Sequence, residues 1–86
     1  MKFADPATRE KLQRILDHCG FDPDAYSLFG GHPSEAYVLD DRGGEWVVYY
    51  SERGLESGLQ SFPNEDLACR HLAERLWRDA TTRSAE

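Results

Sequence analysis

Basic residues are scarce in this 86-residue chain, and their shortage limits the partners that fit it. Ten Lys and Arg residues stand against sixteen Asp and Glu residues, a formal net charge of −6. Nucleic-acid-binding proteins gain most of their affinity from basic groups that neutralise phosphates, so no nucleic-acid partner is expected. Negative charge speeds encounter with a basic protein by electrostatic steering, although moderate charge also simply keeps a protein in solution.

Long apolar runs are also missing. No stretch approaches the roughly 20 apolar residues that a membrane-spanning helix needs. Met1, Lys2 and Phe3 are followed at once by Asp5 and Pro6, so an apolar signal segment is not expected. The sequence therefore predicts a cytoplasmic protein with no membrane partner.

Residue patterns typical of catalysis or metal binding are absent as well. The two cysteines, Cys19 and Cys69, are too few for a disulfide framework, and both fall on predicted helix faces that point inward. His18 and Cys19 are adjacent on a predicted helix, so their side chains diverge and do not pair as base and nucleophile. No C-x-x-C or H-x-x-x-H motif occurs. We expect no catalytic residue, no metal and no cofactor, and hence a protein that is not an enzyme.

Two helices and up to four strands are predicted. Asp5 as N-cap, Pro6 at the first helical position and Gly20 after the last turn favour a helix over 5–19. Asn64 caps a second helix whose apolar side is Ala68, Cys69, Leu72, Ala73 and Leu76. The β-branched and aromatic runs between these helices predict strands at 25–29, 35–40, 45–51 and 55–62, of which the first is short.

The order of these elements indicates an α+β fold. We expect an antiparallel meander of three or four strands, with the N- and C-terminal helices packed on one face. Residues 1–80 form a single domain in this interpretation, and 81–86 form a frayed tail.

Pairing of the two central strands decides which sheet face is exposed. A four-residue hairpin loop over 41–44 sets Asp40 opposite Glu45 and Leu39 opposite Trp46. Two facing carboxylates are costly to bury without partners, so the face that holds them should meet solvent. A loop or tail over the apolar residues of that face is the alternative, and a one-residue slip would exchange the faces.

The predicted solvent face is more apolar than solubility requires, which is typical of an interaction surface. Tyr and Arg are enriched among residues that dominate binding energies. The predicted partner-binding residues lie on this face and at its end: Asp40, Glu45, Val47, Tyr49, Ser51, Glu52 and Arg53. For Glu52 and Arg53 a structural role is the alternative, in which they hold a turn where Gly54 supplies a positive φ.

Three segments resemble a family of small bacterial proteins associated with immunity in polymorphic or contact-dependent toxin systems. They run from Pro33 to Leu39, from Trp46 to Gly54 and from Phe62 to Cys69, and Tyr-Tyr-Ser-Glu-Arg-Gly at 49–54 is the most distinctive part. The similarity spans about 30–75. It departs at Leu67, where an acidic residue is expected.

This resemblance implies a cytosolic inhibitor that binds a cognate, possibly basic, toxin domain and occludes its active site. It implies no role for any single residue. The alternative is a homodimeric structural or regulatory protein, without a toxin partner, that associates through the open sheet face.

Overall fold

Two α-helices and one four-stranded sheet are formed by residues 8–79 and Thr82, the part of the chain that the computed structural model describes. The elements follow the predicted order, and the α+β class is confirmed. Their bounds are α1 Arg9–His18, β1 Tyr26–Ser27, β2 Ala36–Arg42, β3 Glu45–Glu52, β4 Leu55–Phe62 and α2 Glu65–Arg78, with a short 3₁₀ helix at Pro23–Ala25 between α1 and β1.

Helix α1 is fixed at both ends by hydrogen bonds that its sequence specifies. Thr8 is the N-cap, and its hydroxyl accepts from the backbone N–H of Lys11 at 3.2 Å. The predicted cap, Asp5, lies outside the described residues. At the other end Gly20 has a φ of 79°, and the N–H of Phe21 donates to the carbonyl of Leu16 at 3.0 Å. These contacts form a Schellman motif, with Gly20 at the predicted position after the last turn.

Helix α2 begins where the sequence predicts. The side chain of Asn64 accepts from the N–H of Leu67 at 2.9 Å, which satisfies one of the free donors of the first turn. The predicted apolar side is confirmed, since its members are buried in the structure: Ala68, Cys69, Leu72, Ala73 and Leu76.

The strands lie in the order β1-β2-β3-β4, and the last three form the predicted antiparallel meander. Strand β1 differs from the prediction, because it has only two residues and runs parallel to β2. A parallel neighbour needs a crossover, which the chain from Leu28 to Glu35 supplies without regular structure.

The hairpin between β2 and β3 is tighter than predicted. Its loop is Gly43-Gly44 alone, with φ values of 67° and 94°, as a two-residue type I′ turn requires. Asp40 therefore lies opposite Val47, and Glu45 lies opposite Arg42, so the predicted pairing of Asp40 with Glu45 is wrong. The shift of two residues leaves the assignment of side chains to the two faces unchanged.

One face of the sheet packs on both helices and forms the main core. Leu39 and Val48 contribute from the two central strands, and Tyr37 and Trp46 pack at their margins. Leu12 and Leu16 of α1 and the apolar side of α2 complete this core. Both helices therefore lie on the predicted face.

The opposite face is covered, and the prediction that it meets solvent is wrong. Val38, Val47 and Tyr49 form a second apolar cluster in which no side chain is more than 3% exposed. The segment after β1 crosses this face, and the Tyr49 hydroxyl donates to the carbonyl of Gly31 at 2.7 Å. The carboxylates of Asp40 and Glu45 do not face each other in the observed register, so the argument for exposure no longer applies.

The predicted C-terminal tail is described at a single residue. Of the predicted tail, 81–86, only Thr82 is described; it is 3% exposed, and its hydroxyl donates to the carbonyl of Leu76 at 2.8 Å.

Among the described residues, no helix has the length and apolar character needed to cross a membrane.

Two leucines of α2 offer a matched test of this packing. Leu72 is fully buried in the main core, whereas Leu67 is 43% exposed on the same helix. We expect Leu72→Ala to lower the free energy of unfolding by about 2–5 kcal/mol, because it removes apolar contacts and leaves a cavity. Leu67→Ala should cost less than about 1 kcal/mol. Urea denaturation measures both, and equal losses would contradict the assignment of the buried side.

Candidate partner-binding surface

The predicted partner-binding residues do not form one surface. Val47, Tyr49 and Ser51 are 3%, 0% and 0% exposed. Glu45 and Glu52 are exposed at opposite ends of β3, which at eight residues separates them by roughly 23 Å. Arg53 is exposed in the turn between β3 and β4, and Asp40 is half-buried. Partner binding by the exposed members stays a prediction.

The turn at Arg53 and Gly54 has the predicted backbone geometry. Both residues have positive φ, 53° and 78°, and they join the paired residues Glu52 and Leu55. This is a second two-residue turn of the type I′ class. The prediction that Gly54 supplies a positive φ is confirmed, whereas the structural role of the Glu52 and Arg53 side chains stays a prediction.

A polar cluster lies over the second apolar cluster. The Arg42 guanidinium is centred 5.1 Å from the Tyr49 ring and donates to Asp40 at 2.9 Å and to Glu56 at 2.6 and 3.1 Å. His32 Nε2 lies 2.9 Å from Glu56 Oε2, the oxygen that also accepts the 2.6 Å bond from Arg42. Hydrogen bonds from Arg42, and then from His32, lower the pKa of Glu56. The contact between His32 and Glu56 joins the segment that covers this face, 28–35, to strand β4.

Gly30 lets this segment approach the sheet. Its N–H donates to the carbonyl of Leu39 at 2.9 Å, and a Cβ at this position would lie 2.5 Å from a carboxylate oxygen of Asp40. Its φ of 77° is also a conformation that side chains disfavour. The sequence signal for this contact is Gly30-Gly31, which lies between the strands predicted at 25–29 and 35–40.

A separate cleft of about 350 Å³ opens near the end of α2, and its walls are acidic. Its lining consists of Asp22, Asp24, Ala25, Ser34, Glu35, Tyr37, Tyr50, Asp79 and Thr82. Four of these nine residues are carboxylates, and none is Lys, Arg or His, so the cleft favours a cationic group. We call it the acidic cleft.

Two tyrosines, Tyr37 and Tyr50, line the acidic cleft. The rings of Tyr37 and Tyr50 meet edge to face with centroids 4.9 Å apart. The Tyr37 hydroxyl donates to Asp79 at 2.9 Å, and the Arg75 guanidinium is centred 5.2 Å from the Tyr37 ring. Burial, and then the hydrogen bond to Asp79, raise the pKa of Tyr37, which keeps the hydroxyl protonated as a donor.

Local backbone structure positions the carboxylates at the rim. Asp22 caps the 3₁₀ helix by accepting from the N–H of Asp24 at 2.9 Å, and its own N–H donates to the carbonyl of Thr82 at 2.8 Å. Glu35 has a φ of 57°, which is uncommon outside glycine and costs roughly 1 kcal/mol or more. Nothing local in the sequence links Asp22 and Asp24 to Asp79, so the sequence alone does not predict that they line one cleft.

Basic residues border the acidic cleft beyond the bond between Tyr37 and Asp79. A second, more open depression of about 410 Å³ is lined by Tyr37, Arg75, Arg78 and Asp79. The charge therefore changes sign across the Tyr37 ring. A partner that follows this surface meets carboxylates first and guanidinium groups next.

The remaining candidate chemistry is dispersed. Residues 8–79 and 82 contain no group of three His, Cys, Asp or Glu side chains placed to hold a metal ion. Cys69 is fully buried, and burial raises the pKa of its thiol to about 12. Burial, followed by the charge of Arg75, lowers the pKa of His71, whose ring packs against Phe62 at a centroid distance of 5.0 Å. The prediction that the chain is not an enzyme stays a prediction.

Comparisons with protein-family models, with curated proteins and with solved structures found no match to this chain. The resemblance to toxin-immunity proteins therefore stays a prediction. We infer function from the shape and charge of the surfaces described above.

The two glycines of the covering segment test how closely it packs. Gly30 and Gly31 both have positive φ, but only at Gly30 would a methyl group collide, because the space at Gly31 is open. We expect Gly31→Ala to cost about 1 kcal/mol of unfolding free energy for its backbone conformation. Gly30→Ala should cost about 1–3 kcal/mol more, since it displaces Asp40. Equal losses in urea denaturation would contradict the close approach.

The polar cluster predicts a stability that depends on pH. A carboxylate whose pKa is lowered by folding stabilises the protein above its unfolded pKa of 4.5, and this contribution is lost as pH falls through the folded value. We expect Glu56→Gln to be less stable than the wild type at pH 7, and the difference to shrink below about pH 4.5. Denaturation across this range measures it.

Glu74→Gln is the control for this pH dependence. It removes an exposed carboxylate that lies 3.9 Å from Arg78, an ion pair expected to contribute at most about 1 kcal/mol. A Glu56→Gln deficit that persists undiminished at acid pH would contradict the role of the carboxylate charge.

Proposed function

We propose that this protein is an interaction module whose acidic cleft receives a basic side chain of a protein partner. We further propose that the partner is a cognate bacterial toxin domain, and that binding occludes the toxin's active site. The observation that supports the proposal is the acidic cleft, where four carboxylates and two tyrosines surround one depression on the surface of an acidic protein.

The chemistry of the cleft suits an Arg or Lys side chain. Carboxylates accept charge-assisted hydrogen bonds from a guanidinium group, in favourable cases as a bidentate pair. The half-buried rings of Tyr37 and Tyr50 offer apolar area beside these carboxylates, and tyrosine is enriched among residues that dominate binding. A basic side chain in the cleft would thus gain both charge pairing and ring contact.

The cleft is held in shape before any partner arrives. Asp22 is fixed through the 3₁₀ helix and Thr82, and Tyr37 is fixed by its bond to Asp79. Side chains that are already ordered lose little entropy on binding, so more of the interaction energy appears as affinity. The net charge of −6 adds long-range attraction toward a basic partner and speeds association.

The proposal that the partner is a toxin domain rests on the sequence resemblance, and one structural observation supports it. Two of the three resembling segments meet in the cleft: Ser34, Glu35 and Tyr37 come from the first, and Tyr50 comes from the second. The alternative is a homodimer that associates through an open sheet face. That face is not open in the structure, because Val38, Val47 and Tyr49 are buried.

A matched pair of charge reversals tests the cleft. Glu35 and Glu74 are both exposed, but only Glu35 lines the cleft. We expect Glu35→Lys to weaken the complex with the cognate partner by at least about tenfold, because it places a like charge beside the incoming basic group. Glu74→Lys makes the same change in net charge and should weaken it far less. Titration calorimetry at two salt concentrations measures both.

The identity of the partner is tested by co-expression with the toxin domain encoded at the same locus. Rescue of growth and co-purification of a complex are expected. No rescue and no complex would overturn the toxin assignment. Equal effects of the two reversals on a complex that does form would overturn the cleft as its site.

A further inference from the structure

The outer edge of β4 is the longest unpaired edge of the sheet. Strand β4 lies at the end of the strand order, and no other described strand pairs with its outer side. Six of its eight residues are exposed, including Leu55 at 68% and Leu59 at 43%. Unpaired backbone groups on such an edge readily pair with another strand.

The usual devices that protect an edge are few in β4, although Arg75 of α2 donates to the carbonyl of Gly58 at 3.2 Å. The strand contains no Lys, no Arg and no Pro, and its one charged side chain, Glu56, is engaged by Arg42 and His32. The opposite edge of the sheet, by contrast, is the two-residue strand β1. Strand β4 also contains a bulge, which lies between the two β4 residues that pair with Val48 and Tyr50 of β3.

This bulge gives β4 an unusual symmetry. Partners that lie directly opposite share a face, so Leu55, Ser57, Gln60 and Phe62 lie on the helix-covered face with their partners in β3. Glu56 and Ser61 lie on the other face with Ser51 and Val47. In a regular strand of eight residues, the first and last side chains point to opposite faces of the sheet. If such a strand paired along its whole length with an antiparallel copy of itself, each side chain would lie opposite one that points to the other face. The one extra residue at the middle of β4 removes this mismatch.

We propose that a second copy of this chain pairs with β4 in antiparallel register about a twofold axis at Gly58 and Leu59. Leu55 then lies opposite Phe62 of the second copy, Glu56 lies opposite its Ser61, and Ser57 lies opposite its Gln60. Apolar groups meet on the helix-covered face, and no like charges face each other across the strands. Such an isologous contact closes after two copies.

Residues at both ends of the strand suit this register. Pro63, which has no N–H to donate, follows Phe62 and ends the pairing. Glu56 already accepts from Arg42 and His32, and a carboxylate has further lone pairs for the hydroxyl of the opposite Ser61. The acidic cleft lies toward the other edge of the sheet, so the dimer would present two free clefts. The dimer therefore does not depend on the proposed partner.

Ser61 gives a charge test of this register, because it is exposed and faces Glu56 of the second copy. Sedimentation equilibrium from about 1 µM to 1 mM, in about 0.15 M salt to screen net repulsion, should reveal a wild-type dimer. Ser61→Glu sets two pairs of like charges across the contact and should raise the dissociation constant about tenfold. Ser61→Lys sets opposite charges there and should leave it unchanged or lower it.

Circular dichroism of both variants at low concentration checks that the monomer stays folded. A wild type that remains monomeric over the whole range would overturn the proposal. If Ser61→Glu and Ser61→Lys change the dissociation constant of the dimer equally, the proposed register is overturned. Loss of the complex with the basic partner, with the dimer intact, would bear on the acidic cleft alone.

Discussion

The structure depends on one constraint: both faces of the central sheet are apolar, but residues 8–79 form only two α-helices to cover them. The helices pack on the face with Leu39 and Val48. The face with Val38, Val47 and Tyr49 is covered by an irregular segment held by Gly30, His32 and the Tyr49 hydroxyl. This segment also makes the crossover that sets β1 parallel to β2. A polar network thus does here what a third helix does in larger folds.

Because the second face is covered, the exposed charged side chains and unpaired backbone groups of the sheet lie at its edges. The chain enters β2 through Glu35, in a left-handed conformation, and there it meets the 3₁₀ helix and the end of α2. The acidic cleft is formed at this junction, where three segments distant in sequence end near one another. The opposite edge, β4, exposes backbone and leucine side chains. The two proposed modes of recognition, by charge and by strand pairing, would therefore use different parts of one small domain.

Local signals predicted the helices well, because caps and apolar spacing depend on neighbouring residues: Asn64, Gly20 and the buried side of α2 are all confirmed. The hairpin register was missed because Gly43-Gly44 fits a two-residue turn as readily as the end of a longer loop. That error placed Asp40 opposite Glu45 and implied an exposed face. The cleft was missed for a different reason, since Asp22, Glu35 and Asp79 converge only through tertiary structure.

The central claim is that the partner binds the acidic cleft while the second sheet face stays closed. Hydrogen–deuterium exchange of the protein, alone and in the complex with the co-expressed partner, tests both parts at once. We expect slower exchange in the complex at the 3₁₀ helix and around Glu35 and Tyr37, with no change in the segment that covers Tyr49. Faster exchange in that segment, together with protection of β2 and β3 alone, would contradict the account, because it would mean that the partner binds the face that the segment covers.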